Sequence, residues 1–218
     1  MVMLSLEQGR FLVSLARASL KHFFNQGKEF SKEEVKKLRE KELGKNASLE
    51  ALGAFVTLRS LASGLRGCIG YPLPVSAVDE EVSELALQAA FADPRFPPLS
   101  RSELDKVIVE VSVLTKPKQV LARKPEDFVE AVKVGRDGLI IEVGGASGLL
   151  LPQVAVEEGF DAEKFLDCVC LKAGLPARAW RAERNGKPVA RVYVFQAQVF
   201  CEEKPGGKVT EKPLGKAI

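Results

Sequence analysis

An α+β fold is what this 218-residue sequence predicts, and three observations predict it. Amphipathic helical stretches open the chain and recur along it, apolar residues alternate at strand spacing between them, and the two kinds of element follow no regular βαβ order. The predicted architecture is a mixed β-sheet with flanking helices. With 46% hydrophobic and 28% charged residues, the composition is that of an ordinary globular protein. The chain is long enough for one generous domain or two small lobes.

Residues 4–24 are predicted helical, because Phe11, Leu12, Leu15, Leu20 and Phe23 form one apolar stripe. A second helix starts at Ser31, where Ser31 and Glu34 have capping-box spacing, and Gly44 ends it. Residues 54–60 and 65–71 read as strands joined by a Ser/Gly turn, and Pro72 and Pro74 stop the second. Ser76 is expected to cap a helix running to Ala92, with Asp79, Glu80 and Glu81 in its first turn, where acids suit the helix dipole. The run Asp93-Pro94-Arg95-Phe96-Pro97-Pro98-Leu99 cannot be helical, since its three prolines fix a stiff, extended loop.

Residues 107–114 read as a central strand with one polar intruder, Glu110, which needs a partner if buried; Arg66 or Arg95 is the expected one. Residues 125–132 form a short helix, and 138–143 and 149–151 are strands around the glycine turn 144–148. Asp161 caps a helix that ends at Gly174. Residues 179–184 and 189–202 suggest a hairpin across Asn185-Gly186. The stretch 204–218 is rich in Gly, Pro and Lys and reads as a loose tail. The expected organisation is therefore one domain over 1–204, built of two intertwined lobes, and a flexible tail over 205–218.

Several function classes are disfavoured. A net charge of +3 with no basic stripe, and 7% aromatics, argue against nucleic-acid binding. No apolar run approaches the ~20 residues of a membrane span. Residues 1–10 mix acid and base and lack a signal-peptide layout, so a cytoplasmic location is expected. The four cysteines are then free thiols. Cys168 and Cys170 lie two apart in a predicted helix and point to different faces, and the chain has one histidine, so no metal site is expected. The run 144–148 lacks both the Lys-Ser/Thr of a phosphate loop and the G-x-G-x-x-G spacing, so no cofactor is expected. Scarce asparagine and frequent Lys/Glu pairs hint at a heat-adapted source.

The most informative run is Leu65-Arg66-Gly67-Cys68-Ile69-Gly70. It sets one thiol between two glycines and near an arginine. Glycine allows positive φ and close backbone approach, and a nearby cation favours the reactive thiolate. Cys68 thus reads as a nucleophile or redox thiol, or as part of a backbone-lined pocket that uses the glycine amides; the alternative is a small buried residue in a tight strand turn. His22, on a helix that looks structural, is the sole imidazole available as a base. Asp93 and Arg95, on the proline loop, read as a mutual salt bridge or as a polar pair held ready at a pocket.

These residues resemble the AMMECR domain family. The resemblance is carried by Phe55-Val56-Thr57-Leu58, the Cys68 run, residues 89–99 ending in Asp-Pro-Arg-Phe-Pro-Pro-Leu, Glu103-Leu104, residues 108–114, residues 149–155 and Lys172-Ala173-Gly174-Leu175. It covers roughly residues 4–202, and Phe160 departs from it where relatives often carry tryptophan. The resemblance implies an α+β fold of two lobes with the cysteine motif at the cleft between them. It implies a site on Arg66, Gly67, Cys68, Ile69 and Gly70, with Asp93, Pro94 and Arg95 from the second motif. It also implies Memo-type and radical-SAM proteins as partners in a shared modification pathway. On this reading Cys68, Arg66, Asp93 and Arg95 form the catalytic set, and Gly67, Ile69, Gly70, Thr57 and Glu110 the binding set. The alternatives are a non-catalytic adaptor in the same pathway and, third, nucleic-acid binding. The oligomeric state is open, with a homo-oligomer allowed.

Overall fold

The computed structural model describes residues 4–213. Within them the chain forms two compact units, and it leaves the first at Leu114 and re-enters it at Gln198.

The first unit opens with α1 (Leu6–Gln26) and α2 (Lys32–Leu43). Both carry capping boxes, Ser5–Gln8 and Ser31–Glu34. The second is the one the sequence predicts; the first replaces a start at residue 4. Strands β1 (Gly53–Ser60) and β2 (Gly64–Tyr71) follow, then α3 (Val78–Phe91), a single turn α4 (Arg101–Leu104) and β3 (Val107–Leu114). In β1 and β3, residues of one parity bury against the helices. Ala54, Val56 and Leu58 face Val113, Val111 and Val109 in an antiparallel register, all fully buried. Strand period two makes this a single apolar face, and α1 and α3 pack on it.

Ser76 does not cap α3. The Glu81 carboxylate reaches back instead and accepts from the Val75 and Ser76 amides, while Asp79 is buried against Arg39. A charged carboxylate is a stronger acceptor than a hydroxyl, and Glu81, near the helix start, reaches the two amides that precede the helix.

The second unit contains β4 (Lys118–Gln119), α5 (Glu126–Ala131), β5 (Gly138–Val143), β6 (Ala146–Leu150), α6 (Pro152–Glu157), α7 (Ala162–Lys172), a 3-10 turn (Ala179–Arg181), the two-residue arms β7 (Glu183–Arg184) and β8 (Lys187–Pro188), and β9 (Arg191–Phe195). Its sheet order is β4-β9-β5-β6, over a core of Phe128, Phe165 and Trp180. The Asn185-Gly186 hairpin forms with φ of 54° and 70°, as a primed turn requires. It is shorter than the sequence predicts, because 179–181 coil into the 3-10 turn. Cys170 is buried and Cys168 half-buried in α7, both free thiols.

Two strands, β10 (Ala197–Glu202) and β11 (Val209–Lys212), then complete the first unit's sheet, in the order β11-β10-β3-β1-β2. This corrects the expectation of a loose tail from 204. Cys201 pairs with Thr210 and Val199 with Lys212, so residues 209–212 recover their backbone hydrogen bonds in the sheet. The rest of the expected tail, 214–218, lies outside the described residues.

Gly67 and Gly70 do not take positive φ; both sit in extended backbone within β2. Space is what they supply. A Cβ on Gly67 would lie 2.0 Å from the Ala89 carbonyl oxygen in α3. That partner is backbone and cannot swing aside. Gly67→Ala is therefore expected to destabilise the protein by about 3 kcal/mol, at the upper end of overpacking costs, read as a lower urea midpoint. An unchanged midpoint would mean that α3 slides freely on β2.

Candidate functional site

Strand β2 is the sheet edge, and Cys68 sits on it. Its Cα partner on β1 is Thr57, yet its N–H and C=O point away from β1. An open edge exposes unpaired backbone groups. Here the Asp93–Arg95 loop closes it. Asp93 Oδ2 accepts the Cys68 N–H at 2.9 Å, and Arg95 Nη2 donates to the Cys68 carbonyl at 3.3 Å. The two side chains are locked to each other, with Arg95 Nε 2.9 Å from Asp93 Oδ1 and Nη2 2.6 Å from Oδ2. The Arg95 amide also donates to Oδ1 at 3.1 Å. A carboxylate and a guanidinium thus stand in for one residue of a missing neighbour strand. Pro94 fixes the turn between them. The mutual salt bridge expected from the sequence is present, and it also grips the cysteine's own peptide unit.

The thiol is held at its other end. Thr57 Oγ1 donates to Cys68 Sγ at 3.2 Å. Cys68 is half-buried, and burial pushes its thiol pKa upward, with Glu110 and Asp93 adding to the rise while the Thr57 hydroxyl and Arg95 oppose it. A buried thiol loses more by ionising than these two partners return. The resting group is therefore a thiol rather than a thiolate.

Arg66 does not serve the sulfur as the sequence suggests. The β1–β2 register slips by one between Leu58 and Arg59, leaving Arg66 as the bulged residue. Its guanidinium pairs with Glu103 of α4, Nε to Oε1 at 2.8 Å. Phe96 lies under both Arg66 and Arg95, with guanidinium carbons 5.9 and 5.5 Å from the ring centre. The Arg66 bridge holds the Glu103 carboxyl at a pKa of about 2, helped by the Ser100 amide. Arg66 thus ties the β2 bulge to α4, just ahead of β3.

Glu110 also has partners other than those expected. Its Oε2 lies 3.1 Å from Lys212 Nζ and 3.6 Å from Arg59 Nε. Arg66 and Arg95, the expected partners, are engaged by Glu103 and Asp93. Register places Cys68, Thr57 and Glu110 side by side across β2, β1 and β3. Of the proposed site residues, Cys68, Thr57, Asp93, Arg95 and Glu110 come together. Arg66 and Gly67 frame the strand, Ile69 turns into the core, and Gly70 makes room beside Phe55.

Sequence reasoning missed Lys212 and Arg59. The alternation Val209, Thr210, Glu211, Lys212 was the available sign of a strand behind Lys212. His22 offers no base here; it stacks on Phe30 with ring centres 4.2 Å apart. Among the described residues no group of three His, Cys, Asp or Glu is placed to hold a metal, and no helix is long and apolar enough to cross a membrane.

Comparison with known proteins gives a single answer. A family model, AMMECR1, matches residues 13–200. A protein of Thermofilum pendens is 48% identical over 213 residues, covering 97% of each chain. One of Methanopyrus kandleri is 45% identical over 214 residues, covering 97% of this chain and 96% of its own. The crystal structure of an uncharacterized protein from Pyrococcus horikoshii superposes with a TM-score of 0.86 at 42% identity, covering 98% of this chain and all of that one. The chain belongs to the AMMECR1 family, and these relatives are archaeal and heat-adapted.

The Asp93 clamp carries a pH signature. Arg95 and the Cys68 amide hold the Asp93 carboxyl below the usual carboxylate range. A lowered folded-state pKa adds stability above the unfolded value, near 3.9, and loses it as pH falls below that. Asp93→Asn is expected to cost about 2 kcal/mol at pH 7 and to flatten the fall of Tm between pH 4 and pH 2, as followed by circular dichroism.

Proposed function

We propose that this protein is a thiol-dependent enzyme, or the thiol-bearing subunit of one, with Cys68 as the reacting group. The observation that carries the reading is the fixation of Cys68 at three points: its amide by Asp93, its carbonyl by Arg95 and its sulfur by Thr57. Closing the sheet edge accounts for the two backbone bonds, but the third bond holds the sulfur itself, and a reacting atom must be held to within a fraction of an ångström. In the step proposed, the S–H proton passes to an acceptor in the fold or on the substrate, sulfur bonds to an electrophilic carbon of the substrate, and that carbon's leaving group departs with its electron pair. Arg95, with its side chain 44% exposed, is the cation available to an anionic substrate group. The resemblance of the chain suggests Memo-type or radical-SAM proteins as sources of that substrate, in the cytoplasm, where free thiols persist.

A second reading is an adaptor that binds such a partner without chemistry of its own. It is supported by Tyr71, which ends the cysteine strand, and by Leu73 and Val75 just beyond it, 40%, 54% and 79% exposed. Exposed apolar strips of this kind mark interaction surfaces.

Native-state alkylation followed by mass spectrometry tests the first reading. Cys68 is expected to react in the folded protein with a half-rise above pH ~8.5, the free-thiol value, while buried Cys170 and Cys201 stay protected. A Cys68 that stays unreacted to pH 10 in folded protein sinks it. For the adaptor, replacing Leu73 and Val75 by Ser should abolish capture of a Memo-type partner while Cys68→Ser leaves it intact. Loss of capture in Cys68→Ser alone would exclude that reading.

A further inference from the structure

We propose that Glu110, positioned by Lys212, accepts the proton of Cys68, and that the Thr57 hydroxyl carries it between them. This rests on the reading of Cys68 as the reacting group.

Two carboxylates act on the thiol, Asp93 and Glu110. Both oxygens of Asp93 are taken, Oδ1 by the Arg95 amide and Nε, Oδ2 by the Cys68 amide and Arg95 Nη2. Glu110 is different. The residue is 1% exposed, its Oε2 faces Lys212 and Arg59, and its Oε1 is buried with no hydrogen-bond partner. An unsatisfied buried carboxylate oxygen costs free energy and calls for a reason. Taking up a proton in the reaction is such a reason.

The path follows from strand register. Thr57 is the Cα partner of Cys68 on one side and of Glu110 on the other. Directly opposed residues on one sheet face have Cβ atoms about 5 Å apart. Thr57 is 4% exposed and already within 3.2 Å of the sulfur. A hydroxyl has one donor hydrogen and two acceptor lone pairs, and it rotates. At rest it donates to the sulfur and Glu110 Oε1 accepts no bond from it, so the relay requires the hydroxyl and the Glu110 carboxyl to turn toward each other; it then takes the thiol proton while passing its own to Glu110, and it ends chemically unchanged. The S–H bond breaks, an O–H bond forms on Glu110, and one negative charge moves from carboxylate to sulfur. The charged and titratable groups around this path are Asp93 and Arg95 beside Cys68, and Arg59, Lys212 and the Cys201 thiol beside Glu110. Lys212 fixes Glu110 through Oε2 and leaves Oε1 for the proton.

The test measures Cys68 alkylation by iodoacetamide across pH 6–10 in the full chain, wild type against Thr57→Val, Thr57→Ser and Glu110→Gln. Sulfur displaces iodide, so the rate reports proton loss and attack together. Thr57→Val and Glu110→Gln are each expected to slow Cys68 at pH 7.5 by about tenfold or more. The double variant should be no slower than either single one, and Thr57→Ser should keep the wild-type rate. Continued protection of Cys170 and Cys201 shows that each variant is folded; for a variant that loses it, the Thr57→Val and Thr57→Ser pair decides. A Glu110→Gln rate equal to or above wild type would overturn the proposal, because the carboxylate would then act solely as a like charge opposing the thiolate. Equal rates for Thr57→Val and Thr57→Ser would overturn the relay. A wild-type Cys68 that never reacts while folded would instead remove the reading beneath it.

Discussion

The return of the C-terminal strands to the first unit's sheet is the constraint on which the site depends. After an excursion through the whole second unit, β10 docks beside β3 through a buried ion pair, Arg17 with Glu202. Arg17 also donates to the Leu104 and Val107 carbonyls at 2.6 Å, and Glu202 accepts the Val109 amide at 2.9 Å. The pair thus ties α1, the end of α4, β3 and β10 at one point. Buried charges are costly unless every donor and acceptor is met, and here the backbone supplies the remaining partners. Closing so long an excursion costs entropy that grows only slowly with length, so one well-satisfied node and a strand ladder can offset it. With β10 in place, β11 adds to it and delivers Lys212 to Glu110.

The two faces of this sheet follow different rules. In β1 and β3 the helix-covered face is Ala, Val and Leu throughout, as the alternation in 54–58 and 107–113 requires. The opposite face carries Thr57, Arg59, Cys68, Glu110 and Ser112 in the same strands. Ser112 is fully buried and Glu110 nearly so. A sheet optimised for stability alone would place apolar residues there, since polar groups at best break even on burial. Local departures from the stabilising rule cluster at functional sites. The departure here is confined to one row and its flanks, and that row contains the cysteine.

Much of the fold is legible in the sequence because its signals are local. Ser31–Glu34 spacing, Val alternation over 107–114 and the Asn185-Gly186 turn each report a nearby backbone event, and each stands in the structure; the proline loop 93–99 is non-helical as expected, though it turns at 93–96 instead of running extended. The Asp93–Arg95 bridge was legible for the same reason, since its members are two residues apart. What sequence could not show are partners chosen by long-range register. Arg66 lies two residues from Cys68, but a bulge sends it to Glu103. Glu110 meets Lys212, 102 residues away, through a strand that Gly and Pro content disguised as a tail. Of the two roles the glycines around Cys68 suggest, positive φ and close backbone approach, the structure uses the second, a choice that depends on where α3 and β1 lie.

This bears on how the thiol can work. An arginine beside the sulfur would have made a standing thiolate, reactive at all times. The bulge removes Arg66, and the remaining cation, Arg95, is already shared with Asp93 and the Cys68 carbonyl. Burial then keeps the proton on sulfur at rest. Such a group is protected from adventitious alkylation and oxidation, which follow thiolate character. It acquires reactivity only when its proton is removed at the moment of attack, so chemistry at Cys68 requires an acceptor within the fold or on the substrate. The buried row across β2, β1 and β3 contains one carboxylate with an oxygen to spare, and the clamp at the sheet edge holds the sulfur in register with it.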